Sequence, residues 1–235
     1  FQDCASLTSL TVLSELTTIC NRSFQRCTKL STVNFSFYLE TIEEYAFQAC
    51  TSLLGVDFPE TLKSIGVNAF QDCTSLQRIG FTDNETLTSI GEFAFQNCNS
   101  VSQGIVIPPS ITEILRFTFA NCSQLPSVTF PDGLVSLREF SFASCSSLSK
   151  LNISKVTTIE RNSFEYCTSI TEIIFCDDLK GISEYAFQHC YSLPKLNFPQ
   201  DFTTIHQFAF SHCRGIKEIN FNEKLAIINK YAFEH

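Results

Sequence analysis

The chain has no Met and no Trp among its 235 residues, and only eight Gly, seven Pro and four His. So few glycines argue against a Gly-rich loop that cradles phosphate, and none of that pattern occurs. Neither G-x-S-x-G nor H-E-x-x-H is present. Every His lies in the last fifth of the chain. No catalytic constellation survives, so an enzyme is not expected, and neither is a cofactor. No apolar run approaches 18 residues, so no membrane insertion is expected in this stretch. No charged start followed by an apolar core marks a signal peptide. The net charge of −8 leaves no basic footprint and excludes nucleic acid as an expected partner. Charged residues make up only 17% against 44% hydrophobic, the balance of a folded chain and not of a disordered one.

What is abundant is periodic. Phe-x-x-Cys occurs at Phe1, Phe24, Phe47, Phe70, Phe95, Phe119, Phe142, Phe164, Phe187 and Phe210, and Phe233 begins another copy. Seven of the ten steps are 23 residues; the others are 25, 24 and 22. Each copy reads F-x-x-C-x-S-L-x-x-I-x-F-P-x-x-L-x-x-I-x-x-A. The odd spacings fall in loops. Thr82–Thr86 lengthens one turn, Ser102–Gly104 adds a residue before a strand, and Ile153–Val156 shortens a turn. A stack of equal coils tolerates length changes there.

L-x-x-I-x-F ends in period-2 alternation and predicts a short strand, closed by Pro59, Pro108, Pro131 or Pro199. A second extended piece, L-x-x-I, follows. Phe and Cys three apart fit one helical or 3₁₀ turn. One repeat cannot bury all these faces, so stacking must. The expected fold is an α/β repeat solenoid: a right-handed coil with a parallel β-sheet on its concave face, and short strands with helical or 3₁₀ turns elsewhere. About ten rungs at ~4.8 Å give a length of roughly 50 Å. The chain opens at Phe1 inside one repeat and stops at His235 inside another. Residues 1–235 therefore read as one solenoid domain, truncated at both ends, cut from a longer protein.

The pattern resembles the BspA-like leucine-rich repeats, with 23-residue units and a signature ending A-F-x-x-C. The resemblance covers essentially the whole chain. Phe stands where that family often has Leu or Ile at the strand end (Phe35, Phe58, Phe81, Phe130, Phe175, Phe198, Phe221), which alters core filling and not the coil. The resemblance implies an extracellular or cell-surface protein of a microbe or parasitic protist, adhesin-like, with a host protein or glycan as ligand.

Equivalent positions align as columns. Cys27, Cys50, Cys73, Cys98, Cys122, Cys145, Cys167, Cys190 and Cys213 form a file. A file cannot surround a zinc ion. Disulfides between rungs are within reach, but parallel side chains in a packed interior favour a ladder of buried thiols. Tyr45, Phe93, Phe117, Phe140, Tyr185, Phe208 and Tyr231 form an aromatic column, broken by Arg22, Asn68 and Asn162. It reads as a stacked spine on the back of the coil, or as an exposed ladder for glycans or peptides. His189, His212 and His235 share a column, too poor in other ligands for a metal site.

The outward strand positions vary while the inward ones do not. They supply the candidate binding face: Thr32, Asn34, Asp57, Arg78, Thr129, Lys150, Asn152, Glu172, Ile174, Lys195, Asn197, Glu218 and Asn220. Lys150, Glu172, Lys195 and Glu218 alternate in sign, predicting an exposed salt-bridge ladder. Among five Asn-x-Ser/Thr sites, Asn84 sits in the lengthened turn and is expected to be the most accessible to glycosylation, if the source is a secreting eukaryote. Two functions fit: a surface binding module that uses the variable strand face, and a non-enzymatic scaffold or spacer. Apolar surface at uncapped ends would allow end-to-end self-association.

Overall fold

Each coil contributes two short extended segments, and these set the architecture of the computed structural model, which describes residues 1–12, 15–81 and 84–234. The first column of strands runs from Ser9–Thr11 through Thr32–Asn34, Gly55–Asp57 and Arg78–Gly80 to Glu218–Asn220. The second consists of two-residue strands, from Thr18–Ile19 to Ile227–Ile228. Every pairing is parallel and joins equivalent positions of successive repeats, as in Lys150 with Glu172 and Leu151 with Ile173. First-column strands pair two by two, whereas the second column forms ladders of four, three and three strands.

The α component is corrected: among the described residues there is no helix. The reason lies in the Phe-x-x-Cys segment. In each coil the residue two before the Phe and the residue just before the Cys adopt φ between +55° and +64°. No right-handed helix passes through such residues. Backbone donors therefore alternate between two destinations. The N–H groups of Tyr45, Phe47 and Ala49 donate to Val67, Ala69 and Gln71 of the next coil. Those of Ala46, Gln48 and Cys50 donate three residues back along their own chain. The result is a run of tight turns of the kind that needs positive φ at its third residue, cross-linked from rung to rung.

Phe rings of the mark stack along the axis with centroids 5.2–5.6 Å apart and planes within 12° of parallel. Strand-end rings meet this stack edge-on: Phe58 crosses Phe70 at 69° and Phe175 crosses Phe187 at 85°. The substitution of Phe for aliphatics at the strand end thus adds edge-to-face contacts while leaving the coil unchanged. Leu30, Leu53, Leu76 and their equivalents complete a continuous core.

All twelve cysteines are free. From Cys27 to Cys213 each Sγ of the file donates to the carbonyl of the Phe that marks the preceding coil, at 3.0–3.5 Å. Burial pushes the thiols from Cys27 to Cys190 up in pKa, Cys50 and Cys122 to about 12. The aromatic column stacks as a spine at 4.5–5.1 Å where neighbours are both aromatic. Arg22 continues it by lying over Tyr45. A ladder of glutamines runs along the coils as well. Gln2, Gln25, Gln48, Gln71 and Gln96 pass side-chain amide hydrogen bonds of 2.5–3.0 Å from rung to rung.

Candidate binding face

The first strand column presents a flat face because alternate residues point into the core and out to solvent. In Lys150–Ile153 the inward Leu151 and Ile153 are buried and the outward Lys150 and Asn152 exposed. Of the candidate residues, Thr32, Asn34, Asp57, Thr129, Lys150, Asn152, Glu172, Ile174, Lys195, Asn197, Glu218 and Asn220 are exposed and Arg78 is half-buried.

Charges on this face are paired with one another. Lys150 lies 3.2 Å from Glu172, and Lys195 lies 2.7 Å from Glu218. Lys195 and the Asn220 amide hold the Glu218 carboxyl below its ordinary pKa. Glu172 and Lys195 form no ion pair among the described residues. The expected four-membered ladder is two separate pairs, because the strands Glu172–Phe175 and Lys195–Asn197 are not hydrogen-bonded neighbours. A third pair runs diagonally, Arg78 to Asp57, over Gly55 and Gly80. A Cβ at Gly80 would collide with the Asp57 carboxylate, so Gly80 makes room for the pair, whereas a Cβ at Gly55 would only touch Arg78 at 3.7 Å. Uncharged groups between the pairs include Asn197 and Asn220, whose amides bond at 2.9 Å, and Ile174, 48% exposed.

Shallow clefts recur where strands enter their turns, one beside Asn152 and Asp132, another beside Asn197 and Asp177. Their floors are the strand-end rings and prolines. Among the described residues no group of three or more His, Cys, Asp or Glu side chains could hold a metal ion. His189 and His212 stack at 4.6 Å, with Tyr166 beyond His189 at 4.2 Å. Burial and the neighbouring His212 and Arg214 hold His189 below its ordinary pKa. His235 lies outside the described residues.

Asn84 is not accessible. It is 1% exposed. Its amide nitrogen donates to the carbonyls of Pro59 and Leu62, and its oxygen accepts from the N–H groups of Thr86 and Leu87. A glycan on this nitrogen would break the turn it closes. Asn222 does the same six coils farther on, its oxygen accepting from the Lys224 N–H and its nitrogen donating to the carbonyls of Pro199 and Phe202. The signal available in the sequence was Asn in the place where other coils have Pro, a residue that mends the turn by side-chain bonds.

The BspA type leucine rich repeat region matches the chain in six copies, over residues 1–103, 88–201 and 154–235. No curated protein matches. Among solved structures the leucine rich repeat protein of T. pallidum (TpLRR) is 28% identical, covering 63% of this chain and 68% of that one, with a TM-score of 0.58. A leucine rich cell surface protein of Faecalibacterium prausnitzii is 19% identical over 90% of this chain and 87% of that one, with a TM-score of 0.53. The pneumococcal vaccine antigen PcpA is 20% identical, with a TM-score of 0.56; 90% of this chain aligns to 61% of that one. With the repeat matched from end to end and the parallel coil in place, the chain belongs to the BspA-type leucine-rich repeat family.

Proposed function

We propose that this chain is a binding module of a cell-surface or secreted protein, and that it recognises a protein or glycan through the exposed residues of its first strand column. One observation carries the reading: the buried positions repeat almost unchanged from coil to coil while the exposed positions beside them differ in charge, size and polarity. Packing alone places no such demand on them. Family membership supports the surface location.

The test is a binding screen of the folded chain against extracellular-matrix and cell-surface proteins and neutral glycans. Hits should be lost in a variant carrying Asn152→Lys, Ile174→Glu and Asn197→Lys. A folded chain that binds nothing, or whose hits ignore these changes, overturns the reading. A scaffold role is the second reading, favoured by the mutual pairing of the face's charges, which leaves none free for a ligand.

The end faces support self-association as well. Phe1 is 76% exposed at one end, and Phe221, Ile227 and Ile228 are 48–49% exposed at the other. Sedimentation should show concentration-dependent association that Phe221→Ser with Ile228→Ser removes.

A further inference from the structure

The turn after each first-column strand lacks aromatic residues in all but one coil. Counting from the second-strand registers, Phe37 and Tyr38 align with Glu60 and Thr61, then Glu85 and Thr86. Further along, the same two places hold Asp132 and Gly133, Asp177 and Asp178, and Glu223 and Lys224. No other coil puts an aromatic side chain there. In this one coil Phe37 is 85% exposed and Tyr38 57%. The stacked spine and the core rings recur with the repeat and are accounted for by packing. This pair does not recur, and packing does not account for it.

The backbone beneath the two rings is held by hydrogen bonds that do not involve them. The Ser36 hydroxyl accepts from the Tyr38 N–H, and the Ser36 carbonyl from the Leu39 N–H. The Thr61 hydroxyl of the next coil donates to the Phe37 carbonyl at 2.7 Å. The rings thus project from a fixed turn, the pre-organised geometry of an interface anchor. Their flanks are acidic. Glu15 occupies the Tyr38 place in the preceding coil, and Glu60 and Glu85 follow on the other side. All three are exposed, and none forms an ion pair among the described residues. Coils lie ~4.8 Å apart, so Glu15 and Glu60 stand one coil from the rings on either side and Glu85 two coils away. Aromatic faces bordered by carboxylates favour one chemistry above others, that of a cation.

We propose that Phe37 and Tyr38, with Glu15, Glu60 and Glu85, form a docking site for a lysine- and arginine-rich segment of a partner protein. The segment lies along the turn edge. A guanidinium or ammonium group stacks on the rings, and its neighbours meet the carboxylates. Phe37 lines a shallow cleft with Asn34 and Asp57, so the site adjoins the edge of the strand face, but its test does not depend on binding along that face.

The probe is a fluorescein-labelled twelve-residue peptide of alternating Arg, Lys and Gly, followed by fluorescence anisotropy against the full chain. It should bind, and binding should weaken about tenfold in Phe37→Ser with Tyr38→Ser, the loss expected of two exposed cation–π contacts. Glu60→Gln with Glu85→Gln should weaken it comparably. Asp177→Asn with Asp178→Asn removes as much charge from the same column farther along and should leave binding unchanged. Circular dichroism confirms folding, and if the aromatic variant does not fold, the two carboxamide variants decide the matter by their difference. Equal binding by wild type and the aromatic variant would mean attraction to bulk negative charge and overturns the proposal. So does an absence of wild-type binding, or displacement of the peptide by a neutral β-glucan oligosaccharide.

Discussion

A carbonyl oxygen has two lone pairs, and the recurring cysteine serves the second one. The Phe47 carbonyl accepts the N–H of Cys50 in its own coil and the S–H of Cys73 in the next. The thiol is small enough to stand inside the stack and polar enough to tie two coils together. Cys73→Ala should therefore cost about 1–3 kcal/mol, from the lost donor and the small void, read by urea denaturation. Burial also raises the pKa values of Cys27 to Cys190, which makes stability depend on alkaline pH. Unfolded thiols ionise near their ordinary value of 9.0, and Cys50 and Cys122 only near about 12 in the fold. Their contribution is present in full below pH 9.0 and is lost as pH rises through about 12. In the native chain near pH 8, an aromatic disulfide reagent should label exposed Cys20 and spare the file. Rapid modification of the file would contradict that protection.

The left-handed residues pose a balance that magnitudes decide. Phe117 sits at φ 55°, where a side chain costs about 1–2 kcal/mol. It also stacks on Phe93 and Phe140 at 4.9 and 4.5 Å, worth about 0.5–1.5 kcal/mol for each pair beyond burial. Phe117→Gly relieves the first and forfeits the second together with the half-buried ring. The expected outcome is net destabilisation of about 1–3 kcal/mol, as a lower melting temperature. In the same column Asn68 and Asn162 are conformationally at ease, and their amides bond Gln71 and Glu165 at 2.8 Å.

At the scale of elements, the two strand columns differ in what their glycines do. Gly80 leaves room for a flexible carboxylate, whereas a Cβ at Gly91 would meet the backbone of Gly66 and Val67 at 2.6 Å. Gly80→Ala should cost at most about 1 kcal/mol, since it displaces only an exposed ion pair. Gly91→Ala should cost about 1–3 kcal/mol, because two coils must move apart. Thermal denaturation of the two variants side by side gives the comparison. A Gly80 variant less stable than the Gly91 variant would show that the diagonal pair matters more than coil spacing. The turn between Phe and Cys, expected to be helical or 3₁₀, is neither among the described residues, and the reason belongs to this scale. Spacing of three fits a helix and a run of turns equally well. The backbone sign at Tyr45 or Ala49 is set by hydrogen bonds to the next coil, which no single repeat contains.

At the scale of the whole molecule, every coil touches only its neighbours, so stability should grow by increments. Removal of one full coil, residues 47–69, restores the same register and should leave a folded chain with a proportionally smaller urea m-value. Removal of residues 47–58 alone should unfold it, because the Phe file and the strands would fall out of step. Circular dichroism and urea titration distinguish the two. A half-coil deletion that still folds would mean the register is not cooperative along the axis.

Periodicity determined a good deal by itself: the coil, the parallel stacking, the inward Phe, Leu, Ile and Cys, and the outward set that includes Lys150, Asn152 and Ile174. These follow from a hydrophobic pattern that one repeat cannot bury alone. Neighbouring coils decided the rest. They turned Asn84 from an exposed sequon into a buried turn closure, split the expected charge ladder into two pairs, and lined up five glutamines as a chain of amides. They also left Phe37 and Tyr38 standing clear of the surface. Each of these depends on which backbone group lies one coil away, and that is a distance in space that the order of residues does not contain.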